Sequence, residues 1–323
     1  MPELPEVEVV RRGLVEHIVG RTIATTTVTG HRVARRHPAG PADLSARVSG
    51  RTVLAADRRG KYLWLVLGRD HDEPPADEPT ALVIHLGMSG QLLVQPPGAD
   101  PVRHTHAVFA FADGDSVLRF VDQRTFGGLS LVPLVPDQHA RGGRAPGEHA
   151  QGGTPTTGMT HRYGIPASVV HVAADPLEPT YDEGAVIRAL KMRHTAIKRA
   201  LLDQRLVSGI GNIYADEALW RAQVHGRRTC DALSKPTLAR VLQHAQEVMS
   251  QALLVGGTSF DALYVNVNGA SGYFDRSLDA YGQTDRPCSR CETPIRREEF
   301  MNRSSHFCPR CQPVPRPMTA VRR

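Results

Sequence analysis

Four of the five cysteines lie close together near the C-terminal end of the chain. Cys288 and Cys291 form one C-x2-C pair, and Cys308 and Cys311 form a second pair after a spacer of sixteen residues. Two such pairs at this spacing are typical of a structural zinc site, in which four thiolates complete a tetrahedron. The alternative, two disulfides, is disfavoured in a cytosolic chain. The pattern therefore predicts one Zn²⁺ with a structural role, because four thiolates leave no position for a reactive water.

The first residues of the chain carry a second set of reactive groups. The chain opens with MPELPEVE, and removal of Met before Pro would leave Pro2 as an N-terminal secondary amine. An α-amino group has a pKa of about 8, so a useful fraction is neutral near neutral pH. Such an amine can attack an aldehyde-like carbon and form an iminium, with Glu3 and Glu6 as neighbouring acids or bases. The alternatives are a simple processing signal at Pro2 and helix-terminal charges at Glu3 and Glu6.

Lysine is rare in this chain. Of its 39 basic Lys and Arg residues, only Lys61, Lys191, Lys198 and Lys235 are lysines. A coding bias towards Arg explains the skew, but each remaining lysine then merits attention, because Lys can donate a proton where Arg cannot. Lys61 is the only lysine among the first 190 residues. The net charge of +6 and the pI of about 9.3 favour a polyanionic partner.

The composition bounds the kind of protein that carries these groups. With 323 residues, 41% hydrophobic and 22% charged, the chain is typical of a globular protein of about two domains. No apolar run approaches the roughly 18 residues that a membrane span needs, and the acidic N-terminus is unlike a signal peptide. We therefore expect a cytoplasmic protein without membrane contact.

The hydrophobic pattern predicts an α+β fold. A helix covers the first twenty residues, short strands follow from Thr22 to about Pro133 as a β-sandwich, and helical periodicity returns from Asp182. The segment between the cysteine pairs is expected to form a β-hairpin that carries Arg296, Arg297 and Arg303. The predicted domains are an N-terminal helix and β-sandwich (1–135), a flexible linker (136–175), a helical domain (176–280), a zinc finger (281–312) and a tail (313–323).

Five motifs in a fixed order carry a family resemblance. They are MPELPEVE, Arg58-Arg-Gly-Lys-Tyr-Leu63, His85-Leu-Gly-Met-Ser-Gly90, Gly209-Ile-Gly-Asn-Ile-Tyr-Ala-Asp-Glu217 and the four cysteines. Together they closely resemble formamidopyrimidine-DNA glycosylase, the bacterial enzyme family that removes 8-oxoguanine and ring-opened purines from DNA. The resemblance runs from residue 2 to about residue 312. The acidic loop 69–80, the linker at 136–165 and the tail after Gln312 lie outside it.

The resemblance implies a bifunctional glycosylase and AP lyase of base-excision repair. Pro2 would attack C1′ of the damaged nucleotide, expel the base and hold the sugar as an iminium that permits β,δ-elimination. Glu3 matches the residue that protonates the opening deoxyribose, and Glu6 matches a second carboxylate of the site. Lys61 matches a proton donor beside a backbone phosphate, and Arg303 matches the hairpin arginine that grips the same phosphate.

The resemblance also implies a double-stranded DNA partner that contains damaged purines, bound by a monomer through a helix–two-turns–helix motif and the zinc hairpin. Phosphate contacts are expected at Arg193, Lys198 and Asn212, although Asn212 also suits an ordinary helix cap. His104 matches a DNA-contacting histidine, with His106 as the neighbouring alternative. Met88, Arg124 and Phe126 match the residues that fill the gap left by an extruded nucleotide, unless Met88 and Phe126 are core residues. Residues 259–279 resemble the loop over the extruded base.

Two other functions remain open at this level. An endonuclease VIII-type enzyme for oxidised pyrimidines shares Pro2, Glu3 and the zinc hairpin, but the Met88, Arg124 and Phe126 set favours the purine enzyme. A non-catalytic binder of damaged DNA could retain the fold. Such a binder needs neither Pro2 nor Lys61 as a reactive group, so their joint presence favours an enzyme.

Overall fold

The structure, a computed structural model, describes residues 2–69, 80–137, 161–257, 267 and 277–315. Most of the acidic loop 69–80, the centre of the predicted linker, nearly all of the 259–279 loop and the last part of the tail lie outside these residues.

The chain divides into two compact units. Unit 1 is Met1–Ala174 with Glu178–Thr180 and Ala252–Asp275, and unit 2 is Asp175–Leu177 with Tyr181–Gln251 and Arg276–Arg323. The domain boundaries drawn from the sequence stay predictions.

Unit 1 combines helices with two antiparallel sheets, which confirms the α+β prediction. Its elements are α1 (Leu4–Ile18), β1 (Ile23–Val28), α2 (Gly40–Val48), β2 (Thr52–Arg59), β3 (Tyr62–Gly68), β4 (Thr80–His85), β5 (Gly90–Gln95), β6 (Thr105–Phe111), β7 (Val117–Asp122), β8 (Gly128–Val135), β9 (Ile165–Pro166) and a 3₁₀ turn at Ala167–Val169. The sheet orders are β1-β6-β7-β5 and β2-β3-β4-β8-β9. The sequence pattern missed α2, because this nine-residue helix has no capping side chain and buries only Leu44 and Val48.

Strand β3, which lies between β2 and β4, is buried on both faces. Leu63, Leu65 and Leu67 contribute to a core shared by α1 and both sheets, and Trp64 and Val66 point to the opposite face. A strand that is covered on both faces has a continuous run of apolar residues in its sequence, instead of alternating apolar and polar residues. Residues 161–172 pack on that opposite face, so this part of the predicted flexible linker belongs to the folded core of unit 1.

Unit 2 is built from short helices and a terminal hairpin. Its elements are α3 (Glu183–Lys191), α4 (Ile197–Leu201), α5 (Asn212–Arg221), most of α6 (Lys235–Leu254), β10 (Arg296–Phe300) and β11 (Arg303–Phe307). The predicted β-hairpin is confirmed: β10 pairs with β11 across a tight turn at Met301 and Asn302. Residues 288–311, which contain the β10–β11 hairpin and the four cysteines, are called the hairpin module below. Trp220 of α5 packs against Ile295 and the buried cysteines of this module. Within the described part of the chain, no helix combines the length and apolar character needed to cross a membrane.

Candidate functional site

Pro2, Glu3 and Glu6 lie together at the start of α1, and all three are buried. The Glu3 carboxylate accepts a hydrogen bond from the backbone N–H of Glu6, and the Glu6 carboxylate accepts one from the backbone N–H of Glu3 at 2.9 Å. This reciprocal capping box holds both side chains in place and satisfies two helix-terminal donors. Glu3 and Glu6 therefore have the structural role of helix caps, and the same geometry fixes two carboxylates beside Pro2.

The helix that carries Pro2 is tied to the end of β2 through a buried carboxylate. Glu8 on α1 accepts hydrogen bonds from Arg58 at 2.9 Å and from Arg11 at 2.8 Å. Burial raises the pKa of Glu8, but the hydrogen bond from Arg11 and the positive charges of Arg58 and Arg11 outweigh it and lower the pKa to about 2. Arg58 precedes Lys61 by three residues, so this pair links the Pro2 helix to the strand that leads into Lys61.

Lys61 occupies the two-residue turn between β2 and β3. Arg59 pairs with Tyr62 across the hairpin, and Gly60 has a φ of +55°, which suits a turn that favours glycine at its first position. Arg59 is fully buried and donates hydrogen bonds to Asp137 and Glu178. Because Arg58 and Arg59 alternate in direction along the strand, their carboxylate partners hold the base of the Lys61 turn from both faces.

His85, the last residue of β4, begins one of the family motifs. Its Nδ1 accepts a hydrogen bond from the backbone N–H of Gly87 at 3.1 Å, which assigns the proton to Nε2. Burial, followed by the positive charges of Arg36, Arg35 and Lys61, lowers the His85 pKa to about 4. His85 is therefore a neutral hydrogen-bond donor that lies close enough to Lys61 for the lysine charge to affect its pKa.

Met88, Arg124 and Phe126 lie on two adjoining turns. The first turn, with Met88, connects β4 to β5, and the second, residues 123–127, connects β7 to β8. A Cβ at Gly87 would meet the backbone nitrogen of Gly127 at 2.4 Å, so the two turns approach as closely as backbones can. Phe126 is 43% exposed, and the Arg124 guanidinium lies 5.3 Å from the centre of its ring. Phe126 is thus no core residue, and Met88 is half-buried.

The carboxylate of Asp122 organises the 123–127 turn from inside. Its oxygens accept hydrogen bonds from the backbone N–H of Gly127 at 2.7 Å and of Arg124 at 3.2 Å, and from the hydroxyl of Ser89. The backbone carbonyl of His104 accepts from the N–H of Asp122, and His106 contacts the Asp122 carbonyl through Nε2 at 2.9 Å. His106 is therefore engaged in the fold, whereas no hydrogen bond of the His104 ring is found among the described residues.

In unit 2, Lys198 and Asn212 converge on one carbonyl of the hairpin. The Lys198 ammonium group donates to the Ser304 carbonyl at 3.2 Å, and the Asn212 amide donates to the same oxygen at 2.9 Å. Lys198 is fully buried and pairs with Asp216 at 2.6 Å. Asn212 is the first residue of α5, after the N-cap Gly211. Both side chains therefore hold the strand position next to Arg303.

The other predicted phosphate ligands of unit 2 line one cavity. Arg193 and Arg303 border a cavity of about 620 Å³ together with Arg199, and Asp203 pairs with Arg193 at 2.7 Å. Arg303 is exposed at the start of β11. Sequence reasoning did not single out Arg199, although its position one residue after Lys198 was a usable signal. A cavity edged by three guanidinium groups suits a phosphate ester.

The four cysteines of unit 2 fit a tetrahedral metal ion. All four Sγ atoms lie within 4.8 Å of one another, with Cys291 at 3.4 Å from Cys308 and 3.6 Å from Cys311. Zinc–sulfur bonds of about 2.3 Å place tetrahedral sulfurs about 3.8 Å apart, which matches this set. Cys230, in contrast, is a separate buried thiol.

Comparison with protein families identifies three matches along the chain. Residues 1–129 match the formamidopyrimidine-DNA glycosylase N-terminal domain, and residues 172–263 match the H2TH domain of the same enzymes. Residues 286–314 match the zinc finger found in FPG and IleRS.

Individual relatives span the whole chain. The formamidopyrimidine-DNA glycosylase of Rhodococcus jostii is 56% identical over 316 residues, covering 98% of this chain and 97% of the relative. That of Nocardia farcinica is 54% identical over 320 residues, covering 98% and 99%. Among solved structures, MutM in complex with DNA containing carbocyclic 8-oxo-G has a TM-score of 0.76 at 29% identity, covering 97% of this chain and 100% of that one. Lactococcus lactis Fpg in complex with DNA containing an abasic site has a TM-score of 0.75 at 29% identity, with the same coverage.

Proposed function

The chain belongs to the formamidopyrimidine-DNA glycosylase family of base-excision repair enzymes, and on this premise we propose that Pro2 is the nucleophile of both its glycosylase and its AP lyase reactions. The observation that carries the proposal is the buried start of α1. There Pro2 directly precedes Glu3, and the carboxylates of Glu3 and Glu6 are held by the reciprocal capping box. The substrate is double-stranded DNA with an oxidised purine such as 8-oxoguanine or a formamidopyrimidine.

The reaction begins with attack of the Pro2 nitrogen on C1′ of the damaged nucleotide. The bond from C1′ to the base breaks, and the base leaves with the electron pair of that bond. The Pro2 nitrogen passes its N–H proton to the departing base, which restores a lone pair on the nitrogen. That lone pair forms the iminium as the C1′–O4′ bond breaks, and Glu3 gives a proton to the released ring oxygen. Glu6 keeps the start of the helix and the Glu3 backbone in place. Loss of a C2′ proton to solvent leaves its electron pair to neutralise the iminium as an enamine. The enamine electrons then form a C2′–C3′ double bond and restore the iminium, while the 3′ phosphate leaves with the electron pair of its bond to C3′.

Lys61 and Arg303 act on the backbone phosphate in different ways. Lys61 has an amine that can give up a proton, so it assists departure of the phosphate as an acid. Arg303 keeps its charge and binds phosphate oxygens through its planar guanidinium. The hairpin that presents Arg303 depends on the four cysteines, which hold one structural Zn²⁺. When bound, this ion stabilises the hairpin and takes no part in the reaction.

The remaining predicted residues bind and distort the DNA. Arg193 and Asn212 bind phosphates, His104 contacts the DNA backbone, and Met88, Arg124 and Phe126 enter the space vacated by the extruded nucleotide. The buried Lys198 contributes by holding the Ser304 carbonyl beside Arg303. The proposal includes a monomer, since one chain supplies every group in this scheme, and a location in the bacterial cytoplasm, where the DNA substrate lies.

Borohydride trapping tests the nucleophile. Because borohydride reduces an iminium to a stable amine, the purified protein should become cross-linked to a duplex that contains 8-oxoguanine opposite cytosine. Pro2→Gly should lose most of the adduct, and an extra residue fused before Pro2 should abolish it, because the nitrogen would become an amide. Full adduct yield with the fused residue would contradict the proposal. A duplex with thymine glycol serves as the comparison, and faster turnover on it would assign the enzyme to oxidised pyrimidines.

A further inference from the structure

One guanidinium faces three successive carbonyl groups of the 123–127 turn. Arg35 donates to the carbonyl of Gly127 at 2.6 Å and of Phe126 at 2.8 Å, and it approaches the carbonyl of Thr125 at 3.4 Å. It also donates to the carbonyl of Arg32 in its own segment at 2.7 Å. Of the family motifs named in the sequence, none contains Arg35.

The 123–127 turn has an unfavourable backbone conformation that the Arg35 guanidinium stabilises. Thr125 has a φ of +53°, in the left-handed region that is unfavourable for a β-branched residue. Three carbonyl oxygens that point to one place repel each other unless a cation lies between them. Asp122 satisfies the N–H groups of the turn, and Arg35 satisfies the carbonyl groups on its other side. Two opposite charges therefore hold the turn, in addition to one backbone hydrogen bond from the N–H of Thr125 to the carbonyl of Asp122 at 3.4 Å.

The segment that carries Arg35 is itself anchored in the core. Val33 is fully buried, and its carbonyl accepts a hydrogen bond from the backbone N–H of Leu129 at 2.9 Å. His37 is also buried, and its Nδ1 accepts from the backbone N–H of Leu131 at 3.4 Å. The segment is thus fixed on both sides of Arg35, by the Val33 backbone and the His37 ring, to the first half of β8, which follows the 123–127 turn directly.

We propose that Arg35 is a positioning residue that holds Arg124 and Phe126 in the conformation needed to enter the DNA helix. The inference rests on the proposed role of Arg124 and Phe126 in filling the gap left by an extruded nucleotide. A preformed turn enters the base stack without first losing conformational freedom, so loss of Arg35 slows the step in which the damaged base leaves the helix. A preformed abasic site has no base to extrude, so its cleavage depends less on Arg35.

The test compares Arg35→Ala with Arg36→Ala. Arg36 is the adjacent exposed arginine, and its charge, like that of Arg35, lowers the pKa of His85. Among the described residues, no hydrogen bond joins Arg36 to the 123–127 turn. Single-turnover excision of 8-oxoguanine should be about tenfold slower in Arg35→Ala, as expected for lost hydrogen bonds to a charged group. Cleavage of a preformed abasic duplex should change far less. Arg36→Ala should lower both rates equally, through general electrostatics alone. Arg35→Lys should recover little, because an ammonium cannot span three carbonyls.

Two further measurements separate this inference from the proposed function. Phe126→Ala alone should slow excision, and Arg35→Ala should add little to it, since both changes remove the same contribution. If Phe126→Ala leaves excision unchanged, the gap-filling role itself is wrong. If Phe126→Ala slows excision and Arg35→Ala behaves like Arg36→Ala, or the two effects multiply in full, the positioning role of Arg35 is wrong. Fluorine NMR of the free protein, with fluorophenylalanine at Phe126, should show a shifted or broadened signal in Arg35→Ala only. An unchanged signal would also overturn the inference.

Discussion

At the scale of single residues, Glu8 joins the helix that carries Pro2 to the strand that precedes Lys61. Its pKa of about 2 in the folded state lies below the ordinary value of 4.5. Glu8 therefore adds stability above about pH 4.5, and this stability is lost as the pH falls through about 2. At neutral pH the contribution is roughly 3 kcal/mol, from about 1.4 kcal/mol per unit of pKa.

Glu8→Gln tests this contribution. The variant should lower the free energy of unfolding of unit 1 by roughly 3 kcal/mol at neutral pH, and the difference should shrink as the pH falls below about 4.5. Denaturant unfolding followed by the fluorescence of Trp64, which is buried in unit 1, measures it. Glu16→Gln, an exposed position of the same helix, is the control. A difference that stays constant down to pH 2 would show that Glu8 acts by packing and not by charge.

We expect the ring of His85 to remain neutral near neutral pH. Its pKa of about 4 lies below the ordinary 6.5, since burial and the charges of Arg36, Arg35 and Lys61 disfavour the protonated ring. Neutral His85 therefore stabilises the fold above pH 6.5, and this stability declines towards pH 4. In NMR titrations the ring should show no protonation between about pH 5 and 8, with the proton on Nε2. A midpoint near 6.5 would contradict this assignment.

Lys61→Arg separates two roles of Lys61. If Lys61 is an acid, the variant should retain DNA affinity but slow strand cleavage more than base release, because arginine does not give up its proton. Base release and strand nicking are measured side by side on one 8-oxoguanine duplex. Arg69→Lys, the same kind of exchange at the far end of β3, is the control. Near-wild-type rates for both steps would make Lys61 a phosphate contact only.

At the scale of elements, two successive carboxylates on α5 attach the hairpin module. Asp216 pairs with Lys198 and accepts from the backbone N–H of His306 at 2.9 Å. Glu217 accepts from three successive backbone N–H groups, those of residues 279–281. Burial raises the pKa of Glu217 although these donors oppose it. The short helix α5 thus positions both the hairpin and the chain that enters it.

Asp216→Ala should loosen the hairpin. The change leaves the Lys198 ammonium buried without its carboxylate, at a cost of about 3–5 kcal/mol. Hydrogen exchange should rise in Arg296–Phe300 and Arg303–Phe307 while the sheets of unit 1 stay protected. Asp216→Leu combined with Lys198→Met should recover part of the stability, because it removes both charges. Equal loss in the single and double variants would mean that the ion pair contributes nothing specific.

At the scale of the whole molecule, the two compact units should respond differently to loss of zinc. The core of unit 1 contains no cysteine, whereas the hairpin module of unit 2 is held by four. A chelator should therefore expose the β10–β11 hairpin, abolish DNA binding and leave the sandwich folded. Trp64 and Trp220 report on units 1 and 2 separately. Metal analysis that finds no zinc in a fully active preparation would contradict the structural role.

The sequence by itself determines the arrangement of groups that are close together in the chain. Pro2, Glu3 and Glu6 share one helical turn, and the cysteine pairs close over short spacers, so local geometry decides their arrangement. The gap-filling role that we propose for Met88, Arg124 and Phe126 comes only from the family resemblance. Tertiary structure decided which distant residues support them: Arg35 beside the 123–127 turn, and Glu8 with Arg58 behind Lys61. Glu8 and Arg58 are 50 residues apart in the chain, and Arg35 and Gly127 are 92 residues apart. Packing of α1 against β2, and of the segment around Arg35 against β8, brings them together, and no local periodicity encodes which distant elements will be neighbours.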